Sequence, residues 1–333
     1  MRTGVAMPSR PEIEQEQQRT RSQRGFVLLV VLSALGLLAV VAASFAQIAR
    51  THIKVAAVAG ESARAEALAD AGVHIAILDL VAARENQPPN RRFALDATPL
   101  TCSISSDGTI LKIAVQDEAG KVDLNISSEP LLRALTLGLG AKAREAAVDA
   151  ILDYRDEDDD RRASGAERAE YLAAGRSHGP RNAPFLAVEE LASVLGLTQA
   201  DADRLRPFVT IYSGLAALDT SVAPKALIEI VARGLQQDGG PSLFKDRPVS
   251  DLAWGTGRGA LLPAEFLAAS TRRAFSVRSE ARTAGGAIFV REAVVEFVAS
   301  SASAFVLRRW HRGAAATLGG APTNSPAQSL PPC

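Results

Sequence analysis

The chain has 333 residues, enough for one large or two modest folded units. Its 37 Lys and Arg balance 37 Asp and Glu, so bulk charge gives no case for nucleic-acid binding. Four scattered histidines (His52, His74, His178, His311) form neither a zinc pattern nor a catalytic triad, and no Ser or Cys nucleophile has a histidine at motif spacing. The chain does not read as an enzyme.

Residues 26–49, FVLLVVLSALGLLAVVAASFAQIA, are uncharged. At 1.5 Å rise per residue they can cross a hydrocarbon core of about 30 Å. Only Ser33, Ser44 and Gln47 interrupt the run, whereas a buried helix of a water-soluble fold normally keeps a polar face. Arg19, Arg21 and Arg24 precede it, which holds the N-terminus in the cytoplasm and sends residues 50–333 to the other side. Two kinds of leader fit. Ala43-Ser44-Phe45-Ala46 has the small-x-small form of a secretory cleavage site. Gly25-Phe26, behind Arg24, instead has the form of a junction cut before the apolar run.

Beyond the run, residues 50–86 carry Ile53, Val55, Ala63, Ala67, Leu68, Ala71, Ile75 and Leu78, many of them three or four apart. This predicts that the helix continues with one face packed on a head, up to Gln87-Pro88-Pro89-Asn90. Residues 100–117 read as a hairpin around Ser106-Asp107-Gly108-Thr109. Helices are predicted at 130–139, 143–155, 167–174, 187–195 and 199–208. A loose internal repeat pairs Val122-Asp123-Leu124-Asn125-Ile126-Ser127 with Ala217 to Pro224, each ahead of an apolar helix, with Asp, Asn and Thr expected as helix caps. Residues 236–263 read as irregular; Trp254-Gly255-Thr256-Gly257-Arg258-Gly259 lacks the Lys-Ser/Thr of a phosphate loop. Residues 274–310 switch to period two, predicting three antiparallel strands. Residues 313–333 are expected to form a disordered tail, and a Pro-rich tail makes Cys333 a poor staple for Cys102.

The densest chemistry lies at 153–171, DYRDEDDDRRASGAERAEY. Crowded carboxylates repel unless a cation neutralises them, and hard oxygen donors on a loop suit calcium. Asp156, Asp158, Asp160 and Glu167 fall at positions 1, 3, 5 and 12, but Arg161 stands where an EF-hand loop needs glycine. The alternative is a solvated acidic loop paired with Arg155, Arg161 and Arg162. Separately, Leu195-Gly196-Leu197 between two helices has the outline of a helix-hairpin-helix. That module binds DNA phosphates through backbone amides, although Glu189, Glu190, Asp201 and Asp203 oppose the idea here.

Three segments carry a resemblance. RG/FVLLVVL resembles a type IV prepilin leader, which implies cleavage by prepilin peptidase between Gly25 and Phe26, methylation of the new terminus and retention of the helix as an anchor. Asp117 to Asn125 resembles a DExGxxxLN segment. Asp156, Asp158, Gly165, Glu167 and Tyr171 resemble a WxDxD…GxE…Y motif, and 184–208 a PFxSxxELxxVxGM segment. All belong to the minor pseudopilin K family of type II secretion. Most pilins carry Glu at the fifth mature position. Here it is Val30, an absence characteristic of that family. The resemblance implies an α+β fold: a pilin-like long N-terminal helix packed on an antiparallel sheet, with a large inserted all-α domain. Its parts would be a leader (1–25), a transmembrane helix (26–49), its periplasmic extension (50–86), a sheet (87–120 and 271–312) and an insertion of two related halves (121–270). It further implies calcium held by Asp156, Asp158, Asp160, Glu167 and Glu170. Expected partners are the I- and J-type minor pseudopilins, the inner-membrane assembly platform and secreted substrate. The alternatives are a membrane-anchored periplasmic adaptor with an uncleaved helix and a helix-hairpin-helix binding protein.

Overall fold

The structure, a computed structural model, describes residues 10–85, 91–104, 107–140, 144–238, 262–298, 304–314, 331 and 333. The side chains of 10–25, 85, 144 and 145 are outside that description, as are the start of the expected leader, most of the Gly-rich stretch with Trp254 to Gly259, and most of the expected tail. Met1–Glu61 form one compact unit and Ser62–Cys333 a second.

Helix α1 spans Arg10–Glu85. Its segment from Phe26 is long and apolar enough to cross a membrane. Large side chains there, among them Phe26, Leu29, Leu37 and Phe45, are exposed. The hydroxyls turn inward: Ser33 donates to the Leu29 carbonyl at 2.8 Å and Ser44 to that of Val40 at 2.9 Å. A hydroxyl bonded four residues back presents little polarity to lipid, so these serines do not break the apolar surface.

In the second unit, Ala65, Ala69, Val73, Ala76, Ile77 and Leu80 of α1 are buried at helical spacing. They face a five-stranded sheet of order β1-β2-β5-β6-β7, antiparallel throughout. The strands are β1 (Leu100–Ser103), β2 (Ile110–Asp117), β5 (Ala274–Arg282), β6 (Ile288–Phe297) and β7 (Phe305–Arg312). Leu111, Ile113, Val277, Ala293 and Val295 complete this core. The helix presses closely: a Cβ on Gly72 would lie 2.2 Å from the Ser279 hydroxyl. Arg291 on β6 reaches back to α1, pairing with Asp70 at 2.5 Å and Glu66 at 2.7 Å, its guanidinium about 5 Å from the Phe289 and Trp310 rings. We expect Arg291→Ala to cost about 2 kcal/mol, since it removes both pairs and the stacking at once; thermal unfolding in neutral buffer measures it.

Between β2 and β5 the chain inserts a second layer of structure. It contains β3 (Val122–Asp123), α2 (Glu129–Gly138), α3 (Arg144–Arg155), α4 (Arg168–Ala173), α5 (Gln199–Leu205), β4 (Val209–Thr210) and α6 (Lys225–Gln237). The expectation of an all-α insertion needs one amendment, because β3 and β4 pair in parallel. The segment expected as helix 187–195 is 3-10 turns over Val188–Ser193. A separate core of Leu124, Leu131, Leu135, Val148, Ile151, Leu191, Leu227 and Val231 holds these elements. α2 and α6 cross through reciprocal glycines. A Cβ on Gly138 would lie 1.9 Å from the Ile230 carbonyl oxygen, and one on Gly234 1.8 Å from that of Ala134.

The internal repeat has a physical basis that differs from helix capping. The N-caps of α2 and α6 are Ser128 and Pro224. The aspartates turn the chain earlier: Asp123 Oδ1 accepts from the Asn125 amide at 2.9 Å, and Asp219 Oδ1 from the Ser221 amide at 2.9 Å. Where the insertion meets the sheet, Asp117 accepts from the Ala119 amide and the Ser270 hydroxyl, while Asp219 accepts from the Ser270 amide. Both chain crossings are therefore tied together by two carboxylates.

Candidate metal centre

The acidic loop is framed by α3 and α4. The last turn of α3 points Asp153 inward, with no exposed side-chain surface. Next to it Arg155 is anchored by the carbonyls of Leu124 (2.5 Å) and Ser127 (2.9 Å). Tyr154 stacks on Phe185 with ring centroids 4.7 Å apart, and burial raises its hydroxyl to about 12. The Tyr171 hydroxyl accepts from the Leu195 amide at 2.9 Å. Both tyrosines thus clamp the helices on either side of the loop.

The loop closes over Asp153. The Arg162 amide donates to Asp153 Oδ2, and Gly165 approaches so near that a Cβ would lie 1.9 Å from that oxygen. The Asp160 amide donates to Asp158, and Asn182 donates to the Asp158 carbonyl and the Asp159 side chain. Glu167 opens α4 and is only 4 % exposed.

Several carboxylate oxygens have no hydrogen-bond partner among the described residues: Asp153 Oδ1, Asp156 Oδ1 and both oxygens of Glu167. Arg162 lies 3.4 Å from Asp153 Oδ1 but is itself 41 % exposed and shared with Glu129. Loss of hydration raises the Asp153, Asp156 and Glu167 carboxyls. Glu167 goes furthest, to about 7, first through desolvation and then through the charges of Asp153, Asp156, Asp159 and Asp158. Such a cluster is costly unless protons or a cation neutralise it.

The expected ligands divide accordingly. Asp156, Asp158 and Glu167 share one electrostatic environment. Glu170 is turned elsewhere: it accepts from the Glu167 amide at 3.0 Å, faces Arg161 at 3.5 Å, and its carboxyl is lowered, chiefly by that amide. Asp160 is exposed, and the charges that act most on Glu167 are those of Asp153, Asp156, Asp159 and Asp158. Asp153 and Asp159 join the cluster although the motif does not include them. Nothing local sets Asp153 apart; the loop carrying Gly165, folded over it, brings it into the cluster. Among the described residues, no three acidic, Cys or His side chains already stand at metal-ligand spacing. The orphaned oxygens of Asp153, Asp156 and Glu167 are hard donors of the kind a divalent cation takes, and holding one would require them to draw closer together.

The hairpin at 194–198 is spent on structure. The Leu195 amide bonds Tyr171, the Leu197 amide bonds the Val194 carbonyl, and Thr198 with Asp201 caps α5. Those two amides are not offered to a phosphate. At the other end of the chain, Gly25 lies inside α1, Phe26 is 71 % exposed and Val30 is 49 % exposed.

Residues 114–214 match the family described as type II secretion system (T2SS), protein K, in its first domain. The matched stretch encloses the acidic loop and the hairpin. Among solved structures the chain is similar to one from the GspK-GspI-GspJ complex of the enterotoxigenic Escherichia coli Type 2 Secretion System. The TM-score is 0.47 and the identity 16 %, with 80 % of this chain and 99 % of that chain covered. No curated protein sequence matches the chain.

Proposed function

We infer, from residues 114–214 matching the type II secretion system protein K family, that the protein is a minor pseudopilin of that system. The family match is the observation that carries the reading. A long apolar helix placed before it, suited to a single membrane span, supports it.

In the mechanism we propose, the chain works by assembly. Prepilin peptidase cuts between Gly25 and Phe26, and the new terminus is methylated. The apolar part of α1 stays in the bacterial inner membrane, and the sheet with its insertion stands in the periplasm. Pilins use a carboxylate at mature position five to pair with a neighbour's terminal amine, which offsets the cost of a charge in lipid. Val30 cannot make that pair. A subunit without it suits the end of a filament, where one neighbour contact is missing. We place it at the pseudopilus tip with the I- and J-type minor pseudopilins, raised by the inner-membrane platform and facing secreted substrate. Calcium bound by the acidic loop would neutralise Asp153, Asp156 and Glu167 and fix the junction of α3 and α4. The chain's own residues supply positioning and charge and no bond-making step.

N-terminal sequencing of the protein from its native membrane tests this. A first residue of Phe26 is the expected result. Met1 would indicate an uncleaved anchored adaptor, and a start after Ala46 a released secretory protein; either overturns the reading. Co-purification with other prepilin-leader proteins is expected alongside the Phe26 terminus.

A further inference from the structure

We propose that Cys102 and Cys333 are a redox modification site whose disulfide clasps the backbone at Pro331 and Cys333 onto the β1 edge of the sheet. The two cysteines are bonded, with their Cα atoms 5.1 Å apart. The sequence left this pairing open, with a disordered tail expected to make a poor staple. Cys102 is 1 % exposed and belongs to the core between sheet and α1, and Cys333 packs against that same core.

The backbone shows what the bond accomplishes. β1 is a terminal strand of the sheet. The Ser103 amide donates to the Pro331 carbonyl at 2.9 Å, and the Cys333 amide donates to the Ser103 carbonyl at 3.1 Å. Two bonds bracketing one residue in this way are the pattern of a parallel ladder. The Arg92 guanidinium donates to the Cys333 carbonyl, while the Arg92 amide donates to Asp79 of α1 at 3.0 Å. The added segment is therefore held by one covalent bond, two ladder bonds and an arginine anchored to the long helix. An exposed strand edge invites pairing with another chain. The clasp occupies that edge at Ser103.

Formation of the bond joins two sulfurs and releases two protons and two electrons. The acceptor is a disulfide-bonded thiol oxidant, itself reduced to a dithiol. Reducing compartments keep such thiols free, so the clasp closes only in an oxidising one. That compartment dependence rests on the proposed export of residues 50–333, whereas the effect of the bond on the β1 edge does not.

The test uses the full chain in detergent, in dithiol–disulfide buffers of defined potential, so that the outcome is independent of where the cell places the head. Peptide mapping without reductant is expected to link Cys102 to Cys333 and to find neither thiol alkylated. Reduction is expected to speed amide exchange in the peptide covering 100–104 by about tenfold or more, with the 144–155 helix unchanged. Cys333→Ala, which leaves the buried Cys102 in place, should reproduce that faster exchange without reductant. Free thiols in oxidising buffer would overturn the proposal, as would exchange at 100–104 that is indifferent to both reduction and Cys333→Ala.

Discussion

Calcium is expected to raise the melting temperature of the protein by several degrees at pH 8, and Glu167→Gln is expected to remove that rise. In the metal-free chain the Glu167 carboxyl is pushed up to about 7 from its usual 4.5. The folded state therefore binds a proton more tightly than the unfolded state. The stability this contributes is complete below about 4.5, fades as pH rises towards 7, and is gone above that. Metal-free protein should thus weaken between pH 4.5 and 7, and calcium should restore it, with an affinity that falls as protons compete below pH 7. Glu167→Gln replaces a penalised charge by a neutral amide. Without calcium at pH 8 the variant should be more stable by roughly 1–2 kcal/mol, a value discounted for solvent reaching the loop. With calcium it should be less stable than the parent. Calorimetric titration with thermal melts at pH 5 and pH 8 reads both signs. No calcium heat and a flat pH profile would remove the proposed site.

Gly234→Val is expected to cost about 3 kcal/mol or more, because the α2–α6 crossing has no room for a side chain. The obstacles at both glycines are backbone carbonyl oxygens, which cannot rotate away. Relief requires the helices to separate, which would open the core around Leu131, Leu135, Leu227 and Val231. Gly138→Ala should behave similarly. Gly60→Ala is the control: nothing lies within 4 Å of its would-be Cβ, and alanine favours a helix. Urea unfolding midpoints separate the cases. A Gly234 variant as stable as the Gly60 variant would show that the crossing is looser than described.

Much of this fold is legible in periodicity. The uncharged run over 26–49 marks the apolar helix, and alternation over 274–310 marks three strands. Signals of that kind are local. What stayed hidden depends on distant chain segments. Asp153 lies between apolar Leu152 and Tyr154 and reads as the polar side of a helix until the loop carrying Gly165 folds over it. Glu170 reads as one more acidic ligand by residue type, yet its carboxylate caps the Glu167 amide. Cys333 reaches Cys102 across 231 positions, a separation at which no residue pattern speaks. The β3–β4 pair is too short to show alternation at all.

The placement of the insertion has a consequence for how the chain reaches its native state. Asp117 and Phe275 are cross-strand neighbours, yet the whole helical layer lies between them in sequence. Closing so long a loop before it is structured would carry a large entropic cost and slow the search. A helical layer with its own core can form first from nearby residues, and its completed base, where Asp117, Asp219 and Ser270 meet, then presents the two strand ends side by side. The layer would thereby act as the nucleus on which the central strand pairing zips up. On this view, mutations in its core slow the appearance of the sheet, whereas mutations in the sheet mainly hasten its loss.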